Sequence, residues 1–465
     1  MENTREIVLD TLIALEKGEE LSHQMIRDVL NKYDYLDTRD KSFIKMATEG
    51  TIERRLELDY YLNHYSNTPV SKMKPLIRSL LRMSLYQLLY MDGIPDSAVC
   101  NEACKLAEKR KFTNLKGFVN GVLRKMAREK EHLPLPDPQK EELEYLCIRY
   151  SMPELITKAW LEDYGREGTE RLLKGLLEIH PVSLRITKAM AGEEQLLHRL
   201  QEEGVSWEKN PYLNHMFFAT ELDNLGELKD FREGNLIVQD TSSALAVEMA
   251  GIREGDLVID VCGAPGGKTV LASEKAGAGG RVITGDVSEY KTDKIMENIR
   301  RTKRDNVEVR VWDGRQPDPA LLGKADVVLL DVPCSGLGVI GKKRDIKYRV
   351  SESGLQEVSL LQREIVEGAW QYVRPGGILL YSTCTIWQAE NRDMVEWILQ
   401  NLPFEPVSIM EELPLAVREG ILAEKAAKKG KRLQRETEDC LAQVLPGYLR
   451  MDGFFFAKLR RKSEI

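Results

Sequence analysis

Apolar residues recur at three- and four-residue spacings through the first 130 residues, as in Ile7-Val8-Thr11-Leu12-Leu15 and Leu76-Leu80-Leu81-Leu85-Leu88-Leu89. This spacing lines one face of a 3.6-residue helix, and no alternating strand pattern interrupts it. An all-helical domain over residues 1–130 is predicted. Three prolines in Glu131-His132-Leu133-Pro134-Leu135-Pro136-Asp137-Pro138 cannot continue a helix, so 131–150 reads as a linker. The pattern then loosens. Helices are predicted over 153–164, 169–177 and 193–203, with β-prone runs at Val182-Ser183-Leu184-Arg185-Ile186 and His215-Met216-Phe217-Phe218. Residues 151–238 are therefore expected to form a small α+β subdomain.

From Gly251 onward the rhythm becomes apolar strand, glycine turn, helix-length segment. The strands are Leu257-Val258-Ile259-Asp260, Arg281-Val282-Ile283-Thr284, Val307-Glu308-Val309-Arg310-Val311, Asp326-Val327-Val328-Leu329-Leu330 and Ile378-Leu379-Leu380-Tyr381. Continuous apolar strands separated in this way indicate a parallel sheet covered on both faces, here an α/β Rossmann-like domain over 239–465. Ligands of such a sheet lie beyond the carboxyl ends of its strands, so the residues after each strand are the ones to read for chemistry.

Composition narrows the function classes. The 465 residues are more than one core usually organises, and 42% hydrophobic with 30% charged is an ordinary soluble balance. No apolar run approaches the roughly 18 residues that span a bilayer, and the start lacks a signal-peptide pattern. A cytoplasmic monomer without a membrane partner is the expectation. Seven scattered cysteines argue for reduced thiols rather than a disulfide framework. Cys100 and Cys104 lack a second ligand pair, so no metal site is expected. The net charge of −7 is unevenly spread: residues 1–70 hold 9 Lys+Arg against 14 Asp+Glu, and residues 71–130 hold 13 against 5. The second stretch, with Arg78, Arg82, Lys105, Lys109, Arg124 and Lys125, is a candidate phosphate-binding surface. The loop Lys342-Lys343-Arg344-Asp345-Ile346-Lys347 is another.

The first strand runs into Asp260-Val261-Cys262-Gly263-Ala264-Pro265-Gly266-Gly267-Lys268-Thr269. A phosphate-binding Walker loop would need glycine where Cys262 stands, and the dinucleotide G-x-G-x-x-G is not matched either. The glycines still let backbone approach a nucleoside cofactor closely at a strand-to-helix turn. Asp286, at the end of the second strand, can accept from both hydroxyls of a ribose, and Asp313, after the third, from an adenine amine.

Two further strand ends carry thiols: Asp331-Val332-Pro333-Cys334-Ser335-Gly336 and Ser382-Thr383-Cys384-Thr385. A lone buried cysteine is usually a small hydrophobe, but two at successive ligand-side strand ends are hard to explain as packing. Such a pair suits methylation of cytosine at C5. A thiolate adds to C6, turning C5 into an enamine-like carbon that can take a methyl from a sulfonium. An acid near N3 and a later base for the C5 proton complete the requirement.

The three runs together resemble the RNA cytosine-C5 methyltransferases of the Nol/Nop/Sun type. That resemblance implies S-adenosylmethionine as cofactor, Cys384 as nucleophile, Cys334 assisting product release, and Asp331 contacting the target base. Its cofactor contacts fall on Cys262, Gly263, Ala264, Pro265, Gly266, Gly267, Lys268, Asp286, Asp313 and Asp331. Residues 1–130 resemble a NusB-type RNA-binding module, through Asp40-Lys41-Ser42-Phe43 and Phe118-Val119-Asn120-Gly121-Val122-Leu123-Arg124. That module on this catalytic domain is the arrangement of a bacterial 16S rRNA methyltransferase, so the small ribosomal subunit or its precursor is the implied partner. Gln239-Asp240-Thr241-Ser242-Ser243 and Asp452-Gly453-Phe454-Phe455-Phe456-Ala457 fit as well.

There are departures. Gly263 stands where the family usually has alanine, which a tight turn tolerates. Gln388-Ala389-Glu390-Asn391 replaces an expected Pro-Glu-Glu-Asn, a change expected to bear on a helix start. The basic stretch from Lys425 to Arg435 has no counterpart in the family pattern. A tRNA cytosine-C5 methyltransferase, an inactive RNA-binding assembly factor, and a DNA enzyme attacking through Cys334 are the competing readings.

Overall fold

The computed structural model describes residues 3–18, 20–178, 181–187, 192–222, 225–430 and 433–463. It divides into two compact units, one of residues 1–162 with 340–350 and one of 163–339 with 351–465.

The first unit is helical: α1 (Thr4–Lys17), α2 (Ser22–Lys32), α3 (Thr38–Glu53), α4 (Arg55–Tyr65), α5 (Pro75–Tyr90), α6 (Asp96–Lys109), α7 (Lys116–Glu129) and α8 (Glu142–Arg149). Asn3 caps α1 by accepting from the Arg5 amide, and Pro75 opens α5 where its missing N–H costs nothing. The periodic leucines Leu80, Leu81, Leu85 and Leu88 of α5 form the centre of one core with Val8, Leu12, Leu58, Leu62 and Leu123. The segment 340–350 belongs to this unit although the chain on both sides of it belongs to the other. Asp345 is 8% exposed and accepts from the Ser22 amide (3.0 Å) and hydroxyl (2.6 Å). Lys347 is 1% exposed, with its Nζ donating to the Glu53 carbonyl at 2.9 Å, and Arg344 pairs with Glu49 and Glu53. This loop therefore spends Arg344 and Lys347 inside the protein; the expectation that they grip phosphates is corrected.

Helical backbone runs over Glu154–Leu177 and breaks at Gly165 (φ 64°, ψ −176°), the gap between two predicted helices. The second unit then opens with β1 (Val182–Ile186), β2 (Ser206–Lys209), β3 (Met216–Glu221) and β4 (Leu236–Val238), an antiparallel sheet in the order β2-β3-β1-β4. A helix, Glu193–Glu202, packs on it through Leu196, Leu197 and Leu200. Arg185 of β1 is fully buried, with Nε donating to Gln239 Oε1 (2.7 Å) and Nη1 to the Glu274 carboxylate, while Nη2 has no partner among the described residues.

The larger sheet holds β5 (Leu257–Asp260), β6 (Arg281–Asp286), β7 (Val307–Val311), β8 (Ala325–Asp331), β9 (Val373–Thr383), β10 (Phe404–Pro406), β11 (Leu441–Val444) and β12 (Phe454–Arg461). The five predicted strands are its parallel part, in the order β9-β8-β5-β6-β7. The order reverses between β5 and β8, the place where an open α/β sheet binds its ligand. The parallel reading stops at β9, however. Strand β12 pairs antiparallel with β9, and β10 and β11 pair antiparallel with β12. Phe454, Phe455 and Phe456 are buried there, so the aromatic run near the C-terminus is sheet core. Among the described residues no helix is long and apolar enough to cross a membrane.

Candidate active site

The loop after β5 wraps beneath the ends of β5, β6 and β8. Gly266 adopts φ 106°, a left-handed conformation that only glycine takes freely, and the helix Gly267–Ala276 starts immediately after it. A Cβ at Gly263 would lie 2.1 Å from Thr284 Oγ1, so the glycine here is required by the threonine beneath it rather than merely tolerated by the turn. Asp260 is fully buried: Oδ2 accepts from Thr269 Oγ1 at 2.6 Å, while Oδ1 has no partner among the described residues. Burial pushes its carboxyl up to about 6. Asp286 is 6% exposed at the end of β6, accepting from Lys291 Nζ (2.9 Å) and the Val287 (2.8 Å) and Ala264 (3.3 Å) amides. Asp313 follows β7 with its carboxylate clasped by Arg315, which holds it below the usual carboxylate range.

A glycine cradle with carboxylates at three strand ends and one buried orphan acceptor fits a cationic nucleoside cofactor. The ribose hydroxyls suit Asp286, and an ammonium group suits the open Oδ1 of Asp260. Cys262 lies in the same loop, and burial with Asp286 beside it raises its thiol far above the ordinary value.

The two strand-end thiols meet. Cys334 Sγ and Cys384 Sγ are 3.2 Å apart, each partly exposed. Asp331 stands beside them between two donors, with Oδ2 accepting from Lys268 Nζ at 2.7 Å and Oδ1 from Ser382 Oγ at 2.8 Å. Burial works against the Lys268 ammonium, but Asp331 and Asp260 hold it above its ordinary value, and it also interacts electrostatically with Cys384. The Cys334 thiol is pushed well up by its contact with Cys384, then by burial and by the Glu390 and Asp331 carboxylates. The pair thus has a cation, Lys268, within electrostatic reach of Cys384 and two carboxylates, Glu390 and Asp331, within reach of Cys334.

Residues 248–460 match the family of 16S rRNA methyltransferases RsmB/F, and residues 2–128 match the NusB family. Over 464 residues the chain is 31% identical to the probable ribosomal RNA small subunit methyltransferase B of Bacillus subtilis, covering 99% of each chain. The chain belongs to the RsmB/F family of rRNA methyltransferases. The ribosomal RNA small subunit methyltransferase B of Cronobacter sakazakii is 29% identical over 96% of both chains. The crystal structure of PH0851 shares the fold, with a TM-score of 0.78 and 24% identity over 99% of both chains. The enzyme is a methyltransferase of this family and uses S-adenosylmethionine.

Two contributors to the RsmB/F site were missed in the sequence. Gln388–Glu390 form a single 3-10 turn before the helix Arg392–Asn401, so the expected helix start is present. Glu390 and the residue after it also turn back toward the thiols. Glu390, fully buried, accepts from the Ser335 amide (2.9 Å) and Gln362 Nε2 (2.8 Å). Asn391 accepts from Thr383 Oγ1 (2.6 Å) and donates to the Thr385 carbonyl (3.0 Å) and Gln443 Oε1 (2.9 Å). Both keep the Glu-Asn of the family's Pro-Glu-Glu-Asn run, a signal that reads locally as a helix start; the contacts across the fold show the rest. The basic stretch after Lys425 is partly structural. Lys428 Nζ bonds Asp163 Oδ1 and Gln388 Oε1 at 3.1 Å each, and Lys425 Nζ bonds the Glu438 carbonyl; Lys431 and Arg432 lie outside the described residues.

The basic face of the helical unit is also narrower than composition implies. Arg78 and Arg82 pair with Glu16, Arg82 also with Asp59, and Lys109 and Arg110 with Glu6. The acidic first stretch thus neutralises part of the basic second one. On α7, Arg124, Lys125 and Arg128 are exposed and have no carboxylate partner among the described residues.

Proposed function

We propose that this enzyme methylates C5 of a cytosine in 16S rRNA through a covalent adduct between Cys384 and C6. The observation that carries the reading is the pair of thiols 3.2 Å apart at the ends of the neighbouring strands β8 and β9, beside a carboxylate fixed by Lys268 and Ser382. Cys384, as thiolate, bonds through Sγ to C6 while the C5–C6 π electrons form a C4–C5 double bond and N3 takes a proton, which leaves C5 nucleophilic; Lys268 lies within electrostatic reach of this thiol. Asp331, held from two sides, orients the Watson–Crick edge of the base. Bound S-adenosylmethionine supplies the methyl group as a sulfonium, held by residues 262–268, Asp286, Asp313 and Asp331; Arg315 must share Asp313 with it. Once C5 is methylated, loss of its proton restores the double bond and breaks the C6–S bond, freeing Cys384. Cys334, kept as a neutral thiol by the negative charge around it, assists that last step by giving its proton to the departing Cys384 sulfur and taking the one lost from C5.

Residues 1–130 hold the RNA in this scheme and residues 239–465 do the chemistry, in the cytoplasm and as a monomer; residues 131–150, expected as a linker, and 151–162 fold with the first compact unit. Bisulfite sequencing of rRNA and tRNA from cells with and without the gene tests the target. One 16S cytosine should lose its protection when the gene is absent. A lost site in tRNA would move the substrate to that RNA, and no lost site would remove C5 chemistry.

A further inference from the structure

Glu390 and Asn391 are consecutive, both are 1% exposed or less, and beyond the charge that Glu390 sets near Cys334 neither has a role in the chemistry above. Their contacts divide cleanly between the two cysteine loops. Glu390 Oε2 takes the amide of Ser335, the residue after Cys334, and shares Gln362 with that loop, since Gln362 Nε2 also donates to the Pro333 carbonyl at 3.0 Å. Asn391 brackets the other thiol by binding the hydroxyl of Thr383 before it and the carbonyl of Thr385 after it. The position of this dipeptide is itself fixed. Tyr381 of β9 donates to the Glu390 carbonyl at 2.6 Å, and Gln443 of β11 accepts from Asn391. A direct bond, Ser335 Oγ to Thr385 Oγ1 at 2.8 Å, joins the two loops where they meet.

We propose that Glu390 and Asn391 are positioning residues, each holding one thiol, and that together they set the spacing between Cys334 and Cys384. The proposal rests on the cysteine mechanism above for its catalytic consequence, but not for the spacing itself. Two loops reaching a common substrate from different strands need a shared reference, because a displacement of about 1 Å at a reacting group can cost about 100-fold in rate. The dipeptide supplies that reference with one carboxylate and one amide, buried where water cannot compete for them.

Two assays on the full-length enzyme separate this from a general loss of fold. The first uses in vitro transcribed small-subunit rRNA in which 5-fluorocytosine replaces cytosine, so that the adduct cannot lose a C5 proton and remains bound to the protein. Asn391→Ala should slow this trapping by about 100-fold while S-adenosylmethionine binding is retained. Asn391→Asp, which keeps the acceptor for Thr383 but not the donor to Thr385, should fall between it and wild type. Glu390→Ala should act on the later step: on ordinary rRNA the adduct accumulates and turnover falls, with Glu390→Gln, which can still accept from Ser335, partly rescued.

The second assay needs no RNA. Diamide, an azo oxidant, takes the two thiol hydrogens and is reduced to the hydrazine as the Cys334–Cys384 disulfide forms. Disulfide yield should drop in both alanine variants. An unchanged yield in both would overturn the positioning role, as would equal loss of trapping in Asn391→Ala and Glu390→Ala. If wild type forms the disulfide in a dipeptide-dependent way but never traps RNA, the covalent mechanism falls and the positioning role stands.

Discussion

Lys268 in the catalytic unit and Lys347 in the helical unit are both withdrawn from water, and their surroundings shift them in opposite directions. Lys268 meets Asp331 at 2.7 Å, with Asp260 also near, and is held above its ordinary value. Lys347 meets the Glu53 carbonyl, and burial pushes it down to about 7, with Arg54, Arg55 and Arg344 adding to the effect against the opposing pull of Glu53. The difference lies in what surrounds the ammonium. A carboxylate brought to an active site keeps a charge available for chemistry, whereas a backbone carbonyl satisfies one N–H and leaves the charge a burden. The same contrast separates the two units: the Lys268–Asp331 pair stands beside the thiols, and many charges of the helical unit are spent on each other.

The largest effect should come from the thiols themselves, where charge serves chemistry and not stability. Cys384→Ala should abolish methyl transfer and leave no denaturation-resistant protein–RNA complex, with folding intact. Cys334→Ala should accumulate that complex, visible on a denaturing gel, and the double mutant should again show none. A complex that persisted without Cys384 would move the nucleophile to Cys334, as in a DNA enzyme.

The lysine comparison makes a prediction of opposite signs. Lys268→Met strands Asp331 without its counter-ion and should cost about 3 kcal/mol in urea unfolding, as well as activity, with Asp331→Asn restoring part of the stability. Lys347→Met should instead stabilise the protein near neutral pH, since it removes an amine that folding holds near 7. The unfolded chain binds that proton up to about pH 10.4 and the folded chain only up to about 7, so the unfolded state holds more protons between them. Wild-type stability should therefore rise with pH across that window, at most about 1.4 kcal/mol per pH unit from this group, and the slope should flatten in Lys347→Met. A slope unchanged by the substitution would show that Lys347 stays charged when buried. A smaller loss is expected at the ribose site, where Asp286→Ala should weaken S-adenosylmethionine binding by about 1.5–3 kcal/mol in calorimetry.

How much of this was legible depends on where the determining interactions lie. The parallel strands could be read because four are largely apolar runs and β7 alternates Val307, Val309 and Val311 with charged residues, each with its own turn, and the motif residues could be read because each follows its strand directly. Strand β10 could not, being three residues with a proline, and β12 becomes a strand only through its long pairing with β9. Glu390 and Asn391 were read as a helix start, the cheaper explanation for polar residues before a helix. Their other partners are Ser335 and Gln443, 55 and 52 residues away in sequence, and no local pattern carries that. The basic stretch 71–130 was legible only in part for a related reason. Composition counts charges, but only the fold shows that Glu6 and Glu16 sit against four of them.

That partial reading gives the smallest and most discriminating prediction, because it separates cations that face solvent from cations that face acids. Arg124, Lys125 and Arg128 project from α7 without carboxylate partners among the described residues, so each is free to replace a counterion on an RNA phosphate. Reversing Arg124 and Lys125 should weaken rRNA binding and reduce the slope of log K against log salt by about 0.7–0.9 for each phosphate no longer neutralised. Lys109 is equally basic by composition, but it pairs with Glu6 at 2.6 Å with 64% of its side chain exposed. Lys109→Ala should leave the slope as it is and cost less than about 1 kcal/mol of stability, the usual worth of an exposed ion pair. Equal slopes for the two variants would mean that Glu6 gives up Lys109 when RNA arrives, and that the pairing seen in the fold does not decide which cations bind RNA.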